Sequence, residues 1–183
     1  MTNSEPIEQS TMDRLDSKRL QVLSALEAMW HTTGGQPLTA EQVMTTTPVC
    51  VSRETTLPEL VEIFHERHFR HLLVADDEGR LQGVISDRDV LRMMGPGTAY
   101  KEVLEGILAG EIMSADLVTI GPRTSMTEAI GSLVDHGISC LPVVDSGRLV
   151  GIVTSTDLHV LLQMLLQAIR STGSEQPATA AGP

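Results

Sequence analysis

The chain contains one segment twice. Met44, Val49, Val51 and Leu57 match Met113, Val118, Ile120 and Met126, and Leu72, Val74 and Asp76 match Leu141, Val143 and Asp145, each pair 69 positions apart. One residue is then dropped in a turn and the offset becomes 68, so that Gly79-Arg80-Leu81 matches Gly147-Arg148-Leu149, Gly83 matches Gly151 and Asp89 matches Asp157. A sustained offset with a single gap marks an internal duplication, which limits the fold more strongly than any local propensity.

Each copy has the same periodicities. A short strand (Val49 to Val51, or Val118 to Ile120) precedes a helix. That helix has apolar residues at i, i+3, i+4 and i+7: Leu57, Leu60, Val61 and Phe64, or Met126, Ala129, Ile130 and Leu133. A buried strand follows (His71 to Ala75, or Cys140 to Val144), then a polar turn, a third strand (Leu81 to Ile85, or Leu149 to Val153) and a second helix from near Asp87 or Ser155. The unit is β-α-β-β-α, giving an α/β (α+β) chain. The first unit is expected over 38–95 and the second over 112–170, with a linker at 96–111 that carries Gly95-Pro96-Gly97 and a short helix with Leu104, Ile107 and Leu108. About 50 residues bury too little surface to be stable alone, so the two units should pack together. Hydrophobic residues make up 41% of the chain and aromatic ones 2%, so the core is aliphatic.

Outside the repeat, residues 1–10 are polar and expected to be disordered, and so are 171–183. A helix is expected over 11–33, capped by Ser10, with Leu15, Val22, Leu26 and Met29 on one face and Gly34-Gly35-Gln36-Pro37 ending it. The last helix carries Leu158, Leu161, Leu162, Leu165, Leu166 and Ile169, a stripe that serves as core and dimer seam or as a partner surface.

The formal charge is −11, which argues against nucleic acid as a partner because phosphate contacts need clustered Lys and Arg. No apolar run approaches the ~20 residues of a membrane span, and the polar N-terminus is unlike a signal peptide, so a cytoplasmic location is expected. Cys50 and Cys140 have no metal-site spacing and read as small buried hydrophobes. His65, His68 and His71 are spaced like metal ligands, but His71 lies on the next strand and no Cys or carboxylate completes a set, so no metal is assigned. No activated nucleophile or catalytic carboxylate pair is evident, and the chain reads as non-catalytic.

The informative stretch joins the third strand to the second helix. It is Gly83-Val84-Ile85-Ser86-Asp87-Arg88-Asp89 in one copy and Gly151-Ile152-Val153-Thr154-Ser155-Thr156-Asp157 in the other. Ser/Thr-x-x-Asp is close to a capping box, which needs no ligand. The same groups suit a nucleotide: free N–H groups and a hydroxyl for phosphate, and a carboxylate that accepts from a ribose diol.

With these motifs in register twice, the chain resembles the CBS-domain family, two of whose units form a Bateman module. The resemblance rests on Leu141-Pro142-Val143-Val144-Asp145, the hairpin from Gly147 to Thr154 and Asp87-Arg88-Asp89, and covers about Leu38 to Gln167. It implies a pseudo-two-fold pair with two clefts for adenosine ligands such as AMP, ADP, ATP or S-adenosylmethionine, bound as regulatory ligands rather than catalytic cofactors. One cleft would hold Thr154 and Asp157, with Thr47, Val49, Phe69 and Arg70 opposite. The other would hold Ser86 and Asp89, with Asp116, Val118, Ile138 and Ser139 opposite. Asp89 and Asp157 would take ribose hydroxyls. Ser86, Thr154, Arg88, Arg70 and His71 would take phosphate, and apolar strand residues, Ile152 among them, would hold the base. The second copy has Thr156 where the first has Arg88, so polyphosphate is expected in the Asp89 cleft with Arg88, Arg70 and His71, and a less charged adenosyl group, or nothing, in the Asp157 cleft. Leu73 stands where the family often has Pro, with only a packing effect expected. The resemblance further implies a homodimer and a separate regulated protein partner. The rival reading is a ligand-free scaffold in which both motifs are only caps.

Overall fold

The computed structural model describes residues 13, 16–18, 20–22, 24, 37–93 and 106–173. Helix α1 (Ala40–Val43) precedes β1 (Cys50–Val51), α2 (Leu57–Arg67), β2 (His71–Ala75), β3 (Leu81–Ser86) and α3 (Asp87–Met93). The second copy runs α4 (Ala109–Ile112), α5 (Met126–His136), β4 (Cys140–Asp145), β5 (Arg148–Thr154) and α6 (Ser155–Gly173). Residues 13, 16–18, 20–22 and 24 are helical, within the helix expected over 11–33. The rest of that helix, its Ser10 cap, Leu104 and the segments 1–10 and 174–183 lie outside the described residues.

In the first unit β1 pairs parallel to β2, with Cys50 opposite Leu73, and β2 pairs antiparallel to β3. In the second, β4 and β5 pair antiparallel, but the strand expected at Val118 to Ile120 shrinks to one parallel bridge, Ile120 to Val143. The cause is the residue at position 73 and its counterpart. Leu73 donates its N–H to the Val49 carbonyl at 3.3 Å. Pro142 has no N–H to give. The Leu73 difference therefore acts on strand pairing as well as packing, correcting the sequence expectation.

Each unit completes the other. Ala40 N–H donates to the Thr124 carbonyl (2.8 Å), and Thr45 and Ile152 exchange bonds of 2.9 and 3.0 Å. Symmetrically, Ala109 N–H donates to the Thr55 carbonyl (2.8 Å), and Ser114 and Val84 exchange bonds of 2.9 and 3.1 Å. The segment entering each unit thus packs on the opposite one. Ala40, Val43 and Met44 are buried with Met126, Leu133, Leu141 and Val153, together with Val22 of the N-terminal helix. Ala109 is buried with Leu57, Leu60, Leu72 and Ile85. A third cluster of Leu73, Cys140 and Ile152 joins the two sheets. The helix expected around Ile107 and Leu108 starts one residue later, at Ala109, because Leu108 is the extended N-cap residue that bridges Thr56. Helix α4 also begins ahead of the boundary expected at residue 112.

The close approach of the two halves is set by Gly83 and Gly151. A β-carbon on Gly151 would run into Met44 Sδ and lie 2.9 Å from the Thr45 carbonyl oxygen, and one on Gly83 would run into Met113. Helix α5 ends at Gly137 in the left-handed region (φ 62°), and α2 ends the same way on His68 (φ 51°). His68 is a helix terminus, and His65 is exposed. Cys140 is buried as expected, and burial pushes its thiol up to about 11. Cys50 is exposed, since the outward face of β1 falls on it. Helix α6 runs to Gly173, past the tail start expected at Ser171. Its Val160, Leu161 and Met164 enter the core, while Leu162 and Leu166 are exposed.

Candidate functional site

At each strand-to-helix junction the capping geometry forms. Ser86 donates to Asp89 Oδ2 from its N–H (2.9 Å) and its hydroxyl (2.6 Å), and Asp89 N–H returns a bond to Ser86 Oγ (3.3 Å). Thr154 donates to Asp157 Oδ2 from its N–H (2.7 Å) and hydroxyl (3.0 Å). One carboxylate oxygen of each Asp is therefore engaged in the cap, and the other faces outward from it.

Those second oxygens have different partners. Asp89 Oδ1 meets Arg92 Nη1 at 2.9 Å, and that arginine side chain is 76% exposed. Asp157 Oδ1 meets Lys18 Nζ at 2.8 Å, and both side chains are buried, at 10% and 5% exposure.

The Asp89 junction opens onto a cavity of about 210 Å³. Both units line it: Arg70, His71, Ser86, Arg88 and Asp89 from the first, Asp116, Val118, Ile138 and Ser139 from the second. The chain brings these nine sequence-predicted residues together because Ser114, whose bridge to Val84 fixes the second unit's entry segment, holds the next residues beside β3. Arg70 was expected opposite Asp157 as well as among the phosphate ligands; it lies in the Asp89 cavity. Asp87 and Cys140 also line it and were not singled out as ligand contacts. The signal for Cys140 was its alignment with His71, 69 positions earlier.

His71 Nε2 and Ser139 Oγ are 2.9 Å apart. Burial and, next, the neighbouring Arg70 charge hold the His71 imidazole below its ordinary pKa, while Asp87 and Asp89 pull the other way. The lining carries the guanidiniums of Arg70 and Arg88 against the carboxylates of Asp87, Asp89 and Asp116. This balance is less cationic than a reading of Arg70, Arg88 and His71 alone.

The remaining predicted residues do not line this cavity. Thr47 and Thr156 are exposed, Val49 and Phe69 are half-buried against the first unit's core, Ile152 is buried in the inter-sheet cluster, and Thr154 is half-buried. Asp157 is 3% exposed.

Among the described residues no helix is long and apolar enough to cross a membrane. In comparisons with known proteins, the chain is 32% identical over 121 residues to CBS domain-containing protein YhcV of Bacillus subtilis, covering 66% of the chain and 82% of YhcV. It is 28% identical over 121 residues to the uncharacterized protein MJ1225 of Methanocaldococcus jannaschii, of which it spans 41%. It spans 22% of an inosine-5'-monophosphate dehydrogenase of Nitrosopumilus maritimus, at 31% identity over 117 residues. Among solved structures, Vibrio cholerae AcuB superposes with a TM-score of 0.63 at 25% identity, over 77% of this chain and 99% of that one. The cytosolic domain of the Mg2+ channel MgtE, solved in complex with ATP, superposes at 0.55 with 30% identity, over 66% and 47%. The CBS domain model matches residues 40–95 and 109–163, the two copies of the repeat, and this chain belongs to the CBS domain family.

Proposed function

We propose that this chain is a non-catalytic regulatory module that binds an adenine nucleotide in the Asp89 cavity, between its two units. The observation that carries this reading is the convergence of Ser86, Asp89, Arg70, Arg88, Asp116, Val118 and Ile138 on one cavity. It also agrees with the ATP complex of the MgtE cytosolic domain.

In this reading Asp89 Oδ1 accepts from the ribose diol once Arg92 swings to solvent. Val118 and Ile138 flank the base. The exposed Arg70 and Arg88 meet phosphate with charge-assisted bonds. At about 210 Å³ the cavity is smaller than the ~300–1,000 Å³ of common ligand pockets, so it encloses the nucleoside and leaves phosphates in its open mouth. Three carboxylates against two guanidiniums disfavour bare ATP relative to AMP, and a divalent cation on ATP would offset this. A ligand that bridges the units favours one arrangement of the pair, and a protein partner that distinguishes arrangements receives the signal. The exposed Leu162 and Leu166 of α6, and Ile130 and Val134 of α5, support a homodimer as the working assembly.

A thermal-shift panel with AMP, ADP, ATP and S-adenosylmethionine at millimolar concentration tests the reading. Ligand at 100-fold over its dissociation constant stabilises the fold by roughly 2.7 kcal/mol, a rise of several degrees. The ligand-free scaffold keeps one observation in its favour, since both Ser/Thr-x-x-Asp motifs do cap their helices. No shift with any of the four ligands would establish the scaffold instead.

A further inference from the structure

The two junctions repeat the same cap, and the partner of the second carboxylate oxygen separates them. Lys18 Nζ lies 2.8 Å from Asp157 Oδ1 and 3.5 Å from Thr45 Oγ1. Thr45 is the repeat counterpart of Ser114, and Ser114 lines the Asp89 cavity. Lys18 therefore stands between the two groups whose counterparts border the open cavity on the other side. Its helical segment is anchored there. Val22 is fully buried in the second unit's core, and Gln21 Nε2 donates to the carbonyls of Gln42 (3.1 Å) and Met44 (3.3 Å).

The position of Arg92 sharpens the contrast. It is the repeat counterpart of Val160, which is buried. The first unit thus supplies a removable surface arginine to its own Asp89, and the second unit has no cation of its own at that place. The ammonium reaches Asp157 from outside the repeat.

We propose that the N-terminal helical segment is an internal plug, with Lys18 filling the Asp157 junction, so that each chain takes one nucleotide, at Asp89. This rests on the nucleotide reading above. A ribose diol is neutral. If it displaced Lys18, it would leave a buried carboxylate without a counter-charge, which is strongly unfavourable. At Asp89 the same diol displaces only a solvated side chain.

Native mass spectrometry and calorimetry of the full chain with saturating AMP and with ATP test this, on wild type and Lys18→Gln. The expected result is one equivalent per wild-type chain, with its affinity reduced about 10- to 100-fold in Asp89→Ala, and two equivalents per Lys18→Gln chain. Two equivalents in wild type, or one in both folded proteins, overturn the plug and leave the nucleotide reading standing. No binding by wild type but one equivalent in Lys18→Gln, lost on adding Asp157→Ala, supports the plug and overturns the Asp89 assignment. No binding by either folded protein overturns both. If Lys18→Gln fails to fold by circular dichroism, amide hydrogen exchange of wild type decides. Protection by AMP at 84–89 and 114–118, with 16–22 unchanged, supports the plug; release of 16–22 on binding overturns it.

Discussion

Ser139 Oγ lies 2.9 Å from His71 Nε2, and the bond joins the two units at the wall of the cavity they share. A neutral imidazole suits this place, because burial and Arg70 both oppose its protonation. Protonation is harder in the folded than in the unfolded chain. The stability His71 contributes is therefore whole above about pH 6.5 and is lost as pH falls through its lowered folded value. Urea midpoints taken between pH 7.5 and 5 should fall more steeply for wild type than for His71→Asn.

Asp89→Ala should weaken AMP binding by about 10- to 100-fold, the loss of one charge-assisted hydrogen bond of roughly 1.5–3 kcal/mol. The same change removes a cap and lowers stability by about 1 kcal/mol. Calorimetry well below the melting transition separates the two effects. Ser125→Ala, which removes the cap of α5 outside the cavity lining, is the control for capping alone.

The Lys18–Asp157 pair couples a helix outside the repeat to the second unit. A double-mutant cycle of Lys18→Met and Asp157→Asn, followed by urea denaturation, should give a coupling energy in the upper part of the ~0.5–3 kcal/mol range. A value near zero would identify the contact as no more than a surface ion pair.

Gly151→Ala should destabilise by about 1–3 kcal/mol, the cost of overpacking a close contact. Gly83→Ala should cost a similar amount, because its added methyl would lie 2.9 Å from Met113 Cβ, which no rotamer change moves. Thermal melts of the two variants side by side check both values.

His68 holds a left-handed backbone (φ 51°) where the second copy has Gly137. A β-carbon there costs roughly 1–2 kcal/mol, offset in part by glycine's larger unfolded entropy. His68→Gly should therefore raise the melting temperature by a few degrees, with cavity residues untouched.

The repeat made most of the fold legible, because a period of 69 with matching apolar positions can only be satisfied by two like units. Strands β2 to β5 fall within a residue of their expected ends. The exchange of entry segments was not legible. Ala40 and Ala109 are apolar in either arrangement, and burial alone does not say which core receives them. At the site, the motif residues Ser86 and Asp89 line one cavity with Asp116, Val118, Ile138 and Ser139, the grouping that the family resemblance implies. His71 also falls in that cavity, whereas the resemblance gives Arg70, just before β2, to both clefts. Lys18 gave no signal at all, since a lysine on an amphipathic helix is ordinarily solvated and its carboxylate partner lies 139 positions away. The missing second edge strand was written in Pro142 but only a pairing partner reveals what a lost N–H removes.

The crossed packing of Ala40–Val43 and Ala109–Ile112 also governs how such a chain can be made. The first core stays open until residue 109 and its neighbours have left the ribosome, so the first unit cannot finish folding during its own synthesis. A gene encoding one copy would yield a polypeptide that closes its core only by borrowing the segment from a second molecule. Carrying both copies in one chain supplies that segment in the same molecule and makes closure of the two cores one folding event.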